Sequence, residues 1–196
     1  MMIKSNQFNT DVYIADFTKY NQAIHDVPAL VKGVYIDVKP NEIIPSFRLK
    51  NKNKHPFVAI NLEENKSLFK REDGTLKSQC ECIMYALRKE IPSWMVFLEL
   101  KYCEPKNRYD ETLEAISQLK RTYKHVFEKQ IFDKDSYKFY FVVSTPGVEP
   151  LDPFDDTYFN QDDMLTLKEE FRAQLFLANQ LSIHTPKHIC NIQKVT

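Results

Sequence analysis

The sequence predicts an α/β fold, and three stretches carry that prediction. Residues 94–102 (WMVFLELKY) form an apolar run too short for a buried helix and rich in strand formers, as expected of a central strand. Residues 109–129 repeat apolar side chains at helical spacing through Leu113, Ile116, Leu119, Tyr123, Val126 and Phe127. Residues 137–144 (YKFYFVVS) return to a strand, closed by Pro146 and Gly147. Strand, helix and strand in this order imply a crossover connection and a partly parallel sheet. The helix also carries Asp110 and Glu111 near its start and Lys124 and Lys129 near its end, which suits the helix dipole.

The flanking elements follow from weaker patterns. Residues 12–17 and 33–38 read as strands with a weakly patterned helix over 20–31 between them, before Pro40 and Pro45 interrupt. Residues 57–62 read as a strand. Segments 67–70 and 75–87 flank Glu72-Asp73-Gly74, whose Asp-Gly is a hairpin turn signal, and 89–93 supply a second turn. A helix is expected over 164–181 and a last strand over 188–195. The division is an N-terminal extension (1–55), a core (56–145) and a C-terminal segment (146–196) with an acidic loop, a helix and the last strand.

Composition narrows the class. The 196 residues hold only three glycines and are 43% hydrophobic, enough for one buried core and against disorder or collagen-like repeats. No window approaches the roughly 20 apolar residues of a membrane helix. No apolar core follows the lysine of MMIKSNQFNTD, so a signal peptide is not expected and cytoplasm is the default. The formal net charge is zero, so any polyanion must be met by local patches. Arg48, Lys50, Lys52, Lys54 and His55 form a basic run, and Glu149, Asp152, Asp155, Asp156, Asp162 and Asp163 an acidic one; both read as solvated loops. Cys80 and Cys82 are expected on one strand face, and His184 and His188 lie near Cys190. Structural zinc sites use two close-set pairs, so buried free thiols are the better reading of a lone C-x-C.

Residues two apart share a strand face, which puts Glu99 and Lys101 on the side of Met95 and Phe97. An acid and a lysine at the end of an apolar strand are costly to bury without partners. Glu81 interrupts Gln79-Cys80-Glu81-Cys82-Ile83-Met84, and an antiparallel hairpin brings it beside Glu99. Two carboxylates that close repel unless a cation holds them, and magnesium accepts one or two carboxylates with waters and a phosphate oxygen. The plainer alternative is a rim ion pair worth at most about 1 kcal/mol. Asp37-Val38-Lys39 repeats the acid-x-lysine form without an acidic partner strand or a following helix.

An acid on one strand, E-x-K at the end of the next and a helix after it resemble the PD-(D/E)XK, or restriction-endonuclease-like, nuclease superfamily. The match runs through Cys80-Glu81-Cys82-Ile83, then Phe97-Leu98-Glu99-Leu100-Lys101-Tyr102-Cys103, then Ala115, Gln118, Leu119 and Thr122, and covers roughly residues 57–144. The resemblance implies a mixed central sheet flanked by helices. It also implies Glu81 and Glu99 as ligands of Mg²⁺ or Mn²⁺, Lys101 as catalytic lysine and Gln118 as a supporting residue. The activity it implies is metal-dependent hydrolysis of phosphodiester bonds, in DNA ahead of RNA, in a restriction or defence setting. One departure stands out: the family's first acid is usually aspartate after proline, whereas here it is Glu81 after Cys80, one methylene longer.

Lys106 and Arg108 in the loop after the strand, and Lys120, Arg121 and Lys124 on the helix, are candidate phosphate contacts. Surface lysines on an amphipathic helix are the alternative. Because the chain has few spare positive charges, a partner subunit or a homodimer is expected to help hold DNA. Two other classes remain open. One is a catalytically inactive module of the same fold in a larger assembly; the other is an unrelated α/β protein whose charged loops recognise a protein.

Overall fold

The computed structural model describes residues 3–23, 33–70, 74–76, 78–87, 92–151 and 161–191, except the side chains of Gln161 and Asp163. In chain order the strands and helices begin with β1 (Asn6–Phe8), β2 (Val12–Asp16), α1 (Phe17–Ala23), β3 (Val34–Asp37), β4 (Phe47–Lys50) and β5 (Phe57–Asn61). They continue with β6 (Cys82–Ala86), β7 (Ser93–Leu100), α2 (Arg108–Glu128) and β8 (Tyr137–Ser144). The chain closes with α3 (Gln161–Phe171), β9 (Ala173–Leu177), β10 (Gln180–Thr185) and β11 (His188–Asn191). No helix among the described residues is long and apolar enough to cross a membrane.

These strands form two mixed sheets. The larger has the order β1-β5-β6-β7-β8-β9, the smaller β11-β10-β4-β2-β3. β5 pairs antiparallel with β6 and β6 with β7, and β8 and β9 continue parallel to β7. α2 is therefore the crossover between the parallel strands β7 and β8. The prediction of a central strand is met: all eight residues of β7 are buried.

β7 is buried on both faces because each has its own cover. Met95 and Phe97 point toward α2 and α3, packing with Ala115, Ile116, Leu119, Tyr123, Leu167 and Phe171. Trp94, Val96, Leu98 and Leu100 point the other way, onto Val12, Ile14, Phe47, Leu49, Leu181 and Ile183 of the smaller sheet. The result is three layers, helices on sheet on sheet. The expected helices thus cover one face of the main sheet, and a second sheet covers the other. Segments 1–55 and 146–196 meet in that second sheet, where β4 pairs with β10 through Leu49 and Leu181. Fully burying one such aliphatic or aromatic side chain contributes about 1.5–3 kcal/mol.

Three local expectations are corrected. Residues 164–181 are not one helix, since α3 stops at Phe171 and β9 and β10 follow. Leu167, Phe171 and Leu175 recur at helical spacing, which disguised the break. Arg172 takes a left-handed backbone (φ 52°) that ends the helix, and β9 then alternates buried and exposed residues with period two. Residues Lys66–Phe69 form a 3-10 turn rather than a strand, although Lys70 and Leu76 do make an antiparallel bridge. The turn is organised by Asn61, which accepts from Glu63 N–H, and by Asn65, which donates to the Asn61 carbonyl. Cys80 and Cys82 do not share a face: Cys80 packs under α2 and Cys82 between the sheets, because the chain becomes regular strand only at Cys82. All four cysteines are free. The turn at 71–73, most of the turn at 89–93, the expected helix beyond residue 23 and the expected last strand beyond residue 191 lie outside the described residues, as does most of the acidic stretch.

Candidate functional site

Period-two geometry puts Glu99 and Lys101 at the end of β7 on its α2 side, and both are buried. Glu81 stands one residue before β6, where its N–H donates to the Leu98 carbonyl (3.1 Å) and its Oε2 accepts from Leu100 N–H (2.7 Å). The hairpin therefore brings the two glutamates to one place, as the Cys82–Leu98 register requires. The three residues singled out by their spacing converge.

A fourth residue joins them from the other sheet. Asp16 ends β2 and caps α1, its Oδ1 accepting from Lys19 N–H at 3.0 Å. That cap aims Lys19 across the sheet end. Its ammonium pairs with Glu81 Oε1, sits 2.5 Å from Glu99 Oε1 and donates to the Leu100 carbonyl at 3.3 Å. Tyr102 locks the approach: its hydroxyl donates to the Pro45 carbonyl (3.0 Å) and accepts from Asp16 N–H (3.2 Å).

Lys101 is held from α2. Its ammonium lies 2.9 Å from Glu114 and 3.3 Å from Glu111, and 3.9 Å from Glu99. Glu111, Glu114, Gln118 and Arg121 recur at spacings of three and four, so one edge of α2 faces the strand ends. Gln118 donates to Ser78 (3.2 Å) and leaves its Oε1 buried without a partner; Arg121 also reaches Ser78 (3.5 Å). Gln118 thus bonds to Ser78 rather than to Glu81, Glu99 or Lys101.

The electrostatics are those of a crowded acidic site. Burial, and then Glu81, push the Glu99 carboxyl well above the usual carboxylate range, against the pull of Lys19. Burial alone would lower Lys19, but Glu81 and Glu99 outweigh it and hold the ammonium firmly charged. Burial also raises Asp16, with the Lys19 N–H opposing and Glu81 adding. Asp16, Glu81, Glu99, Glu111 and Glu114 set five carboxyl groups against the two lysines. Such a surplus attracts cations.

The donor set suits a hard ion. Glu81 Oε1, Glu99 Oε1 and the Leu100 carbonyl all meet one point, now taken by the Lys19 nitrogen, and Glu99 Oε2 is buried with no partner. All are oxygens, as magnesium and manganese prefer. Among the described residues no group of three or more His, Cys, Asp or Glu side chains is placed to hold a metal ion. Two carboxylates and a carbonyl would leave the remaining positions to water and substrate.

The five basic candidates are not gathered. Arg121 lies along α2 from Glu114, whose carboxyl Lys101 chiefly, and Arg121 to a lesser degree, hold below the usual value. Lys106 pairs with Glu104 in an exposed contact, and Arg108 donates to the Glu149 carbonyl. Lys120 and Lys124 lean over the Phe171 ring at 5.8 and 5.3 Å, toward α3. Asp37 of the competing motif accepts from Val38 and Lys39 N–H, a local turn bond. The basic run is not one solvated loop: Arg48 and Lys50 lie on β4, with Arg48 paired to Asp11 (2.6 Å), and only Lys52 and Lys54 are exposed in the following turn.

Sequence spacing alone did not reveal Lys19, Asp16, Glu111 or Glu114. The helix-face repeat on α2 held the signal for the two glutamates, and Asp16 three residues before Lys19 held a capping signal. Nothing local pointed Lys19 at Glu99, 80 residues away. The fold and site thus define a mixed α/β protein with an acid–lysine cluster at the ends of its central strands. The chain matches no family model, no curated protein and no solved structure.

Proposed function

We propose that this chain is a metal-dependent nuclease of the PD-(D/E)XK kind, hydrolysing phosphodiester bonds in DNA ahead of RNA. The observation that carries the reading is the meeting of Glu81, Glu99 and the Leu100 carbonyl at one cation position, with Lys101 beside it. Glu81 and Glu99 would hold Mg²⁺ or Mn²⁺, which when bound supplies a polarised phosphoryl oxygen and an acidified water. Lys101, steadied by Glu111 and Glu114, orients the attacking water and balances charge on the phosphorus. The water oxygen attacks phosphorus, the opposite P–O bond breaks, and the leaving oxygen takes up a proton. Arg121 gives a phosphate contact at the edge. With zero net charge, a partner subunit or a second copy supplies the rest of the affinity for DNA.

One observation favours a second reading, a catalytically inactive module: an internal ammonium already neutralises the glutamate pair. Cleavage assays on plasmid DNA and single-stranded RNA with Mg²⁺ or Mn²⁺ decide between them. The nuclease reading expects cleavage that EDTA stops and that Glu99→Gln or Lys101→Ala reduces by roughly 10²–10³-fold. Wild-type protein that binds nucleic acid without cutting it supports the module. Cutting that persists undiminished in both variants refutes the assignment of the site.

A further inference from the structure

The Lys19 ammonium lies among oxygens that the proposed ion would need, yet it belongs to a different part of the fold. Glu81, Glu99 and Leu100 sit on the β6–β7 hairpin, whereas Lys19 arrives on α1 from the smaller sheet. Its backbone is anchored independently of its side chain. Asp16 caps its N–H, the Phe17 N–H donates to the Gly33 carbonyl (3.0 Å), and the Thr18 hydroxyl accepts from Gly33 N–H (2.8 Å). The four-carbon stem can therefore swing without moving α1, and at 26% exposure the side chain already touches solvent. Glu99 Oε2, buried and unpartnered, is an acceptor that the lysine leaves unused.

We propose that Lys19 is a tethered cation that fills the divalent-ion position in the resting protein and is displaced from Glu81 and Glu99 when the ion binds. The proposal rests on the metal site of the nuclease reading and adds its regulation: ion uptake competes with an internal salt bridge. A competitor that occupies the site nine-tenths of the time or more weakens apparent ion affinity by roughly tenfold or more. An ion of higher charge and more coordination positions wins at millimolar concentration, and weaker cations do not.

Two measurements on the full chain test this. The first is acetylation of lysines by an amine-reactive ester, read by mass spectrometry in EDTA and in millimolar Mg²⁺ or Mn²⁺. Lys19 labelling should rise severalfold with the ion, while Lys52 and Lys54, exposed before the end of β5 that pairs with Ala86 rather than Cys82, stay constant. The second is Mn²⁺ binding to wild type, Lys19→Met and the double variant Lys19→Met/Glu99→Gln, followed by the electron spin resonance of free Mn²⁺. Lys19→Met should bind roughly tenfold tighter or better, and adding Glu99→Gln should remove the gain. Glu99-dependent Mn²⁺ binding with flat Lys19 labelling overturns the displacement and leaves the metal site standing. No Glu99-dependent Mn²⁺ binding in either wild type or Lys19→Met overturns both. The labelling needs only the wild-type protein, so an unstable variant does not spare the proposal.

Discussion

Replacing Lys19 by methionine in metal-free buffer at neutral pH probes what holds the glutamate pair together. The substitution keeps an unbranched stem and deletes the charge. It leaves Glu81 (5% exposed) and Glu99 (0% exposed) facing each other, with Lys101 at 3.9 Å from Glu99 as the nearest remaining ammonium among the described residues. Removing one member of a buried ion pair costs about 3–5 kcal/mol. Because Lys19 is about a quarter exposed, the lower end applies, about 3 kcal/mol. For a chain of this size, 1 kcal/mol moves the melting temperature by about 2–4 °C, so the expected loss is about 6–12 °C. Adding Glu99→Gln should return at least half of it, since the repelling pair is then gone. Thermal melts followed by circular dichroism read both values. A Lys19→Met protein that melts within about 2 °C of wild type would mean that solvent, not the lysine, balances the carboxylates.

Three further outcomes follow from other parts of the structure. Thr122→Val removes the oxygen that accepts from the buried Cys80 N–H (2.9 Å), and chemical denaturation should show a loss of about 1–3 kcal/mol; no loss would mean water reaches that amide. Asp11 is raised by its partial burial, but the Asn51 N–H and the Arg48 guanidinium outweigh this and hold its carboxyl below the usual value. A lowered carboxyl contributes stability above its unfolded value and loses it as pH falls through its folded value. The melting gap between wild type and Asp11→Asn should therefore be present at neutral pH, stay below about 1 kcal/mol because the pair is open to solvent, and close below pH 3.8. A gap that persists in acid refutes it. With a thiol reagent, exposed Cys190 should react first and half-buried Cys103 more slowly, while buried Cys80 and Cys82 should wait for unfolding; rapid labelling of Cys80 would refute its packing under α2.

Local periodicity settled a good deal of this protein before any coordinates. A period of two across 94–102 told which side chains of β7 share a face, and a period of 3.6 across 109–129 told which residues of α2 press on it. Gln118 came from the family resemblance, and packing put α2 on the Met95–Phe97 face that also carries Glu99 and Lys101. The hairpin then brings in Glu81, because antiparallel strands joined closely in sequence have few registers to choose from. Where periods coincide, as for Leu167, Phe171 and Leu175, the pattern misled, and the left-handed Arg172 was decided by packing.

What only the tertiary structure decided is which distant faces cover one another. An apolar strand face needs a partner, but nothing in its own residues says whether a helix or a sheet will supply it. Here β4 finds β10 more than a hundred residues along the chain and closes a second sheet over the first. That sheet carries α1, and α1 carries Lys19 to Glu99. A charge brought to a buried pair by long-range packing leaves no mark on the spacing of its neighbours, because its position is fixed by burial of apolar surface elsewhere.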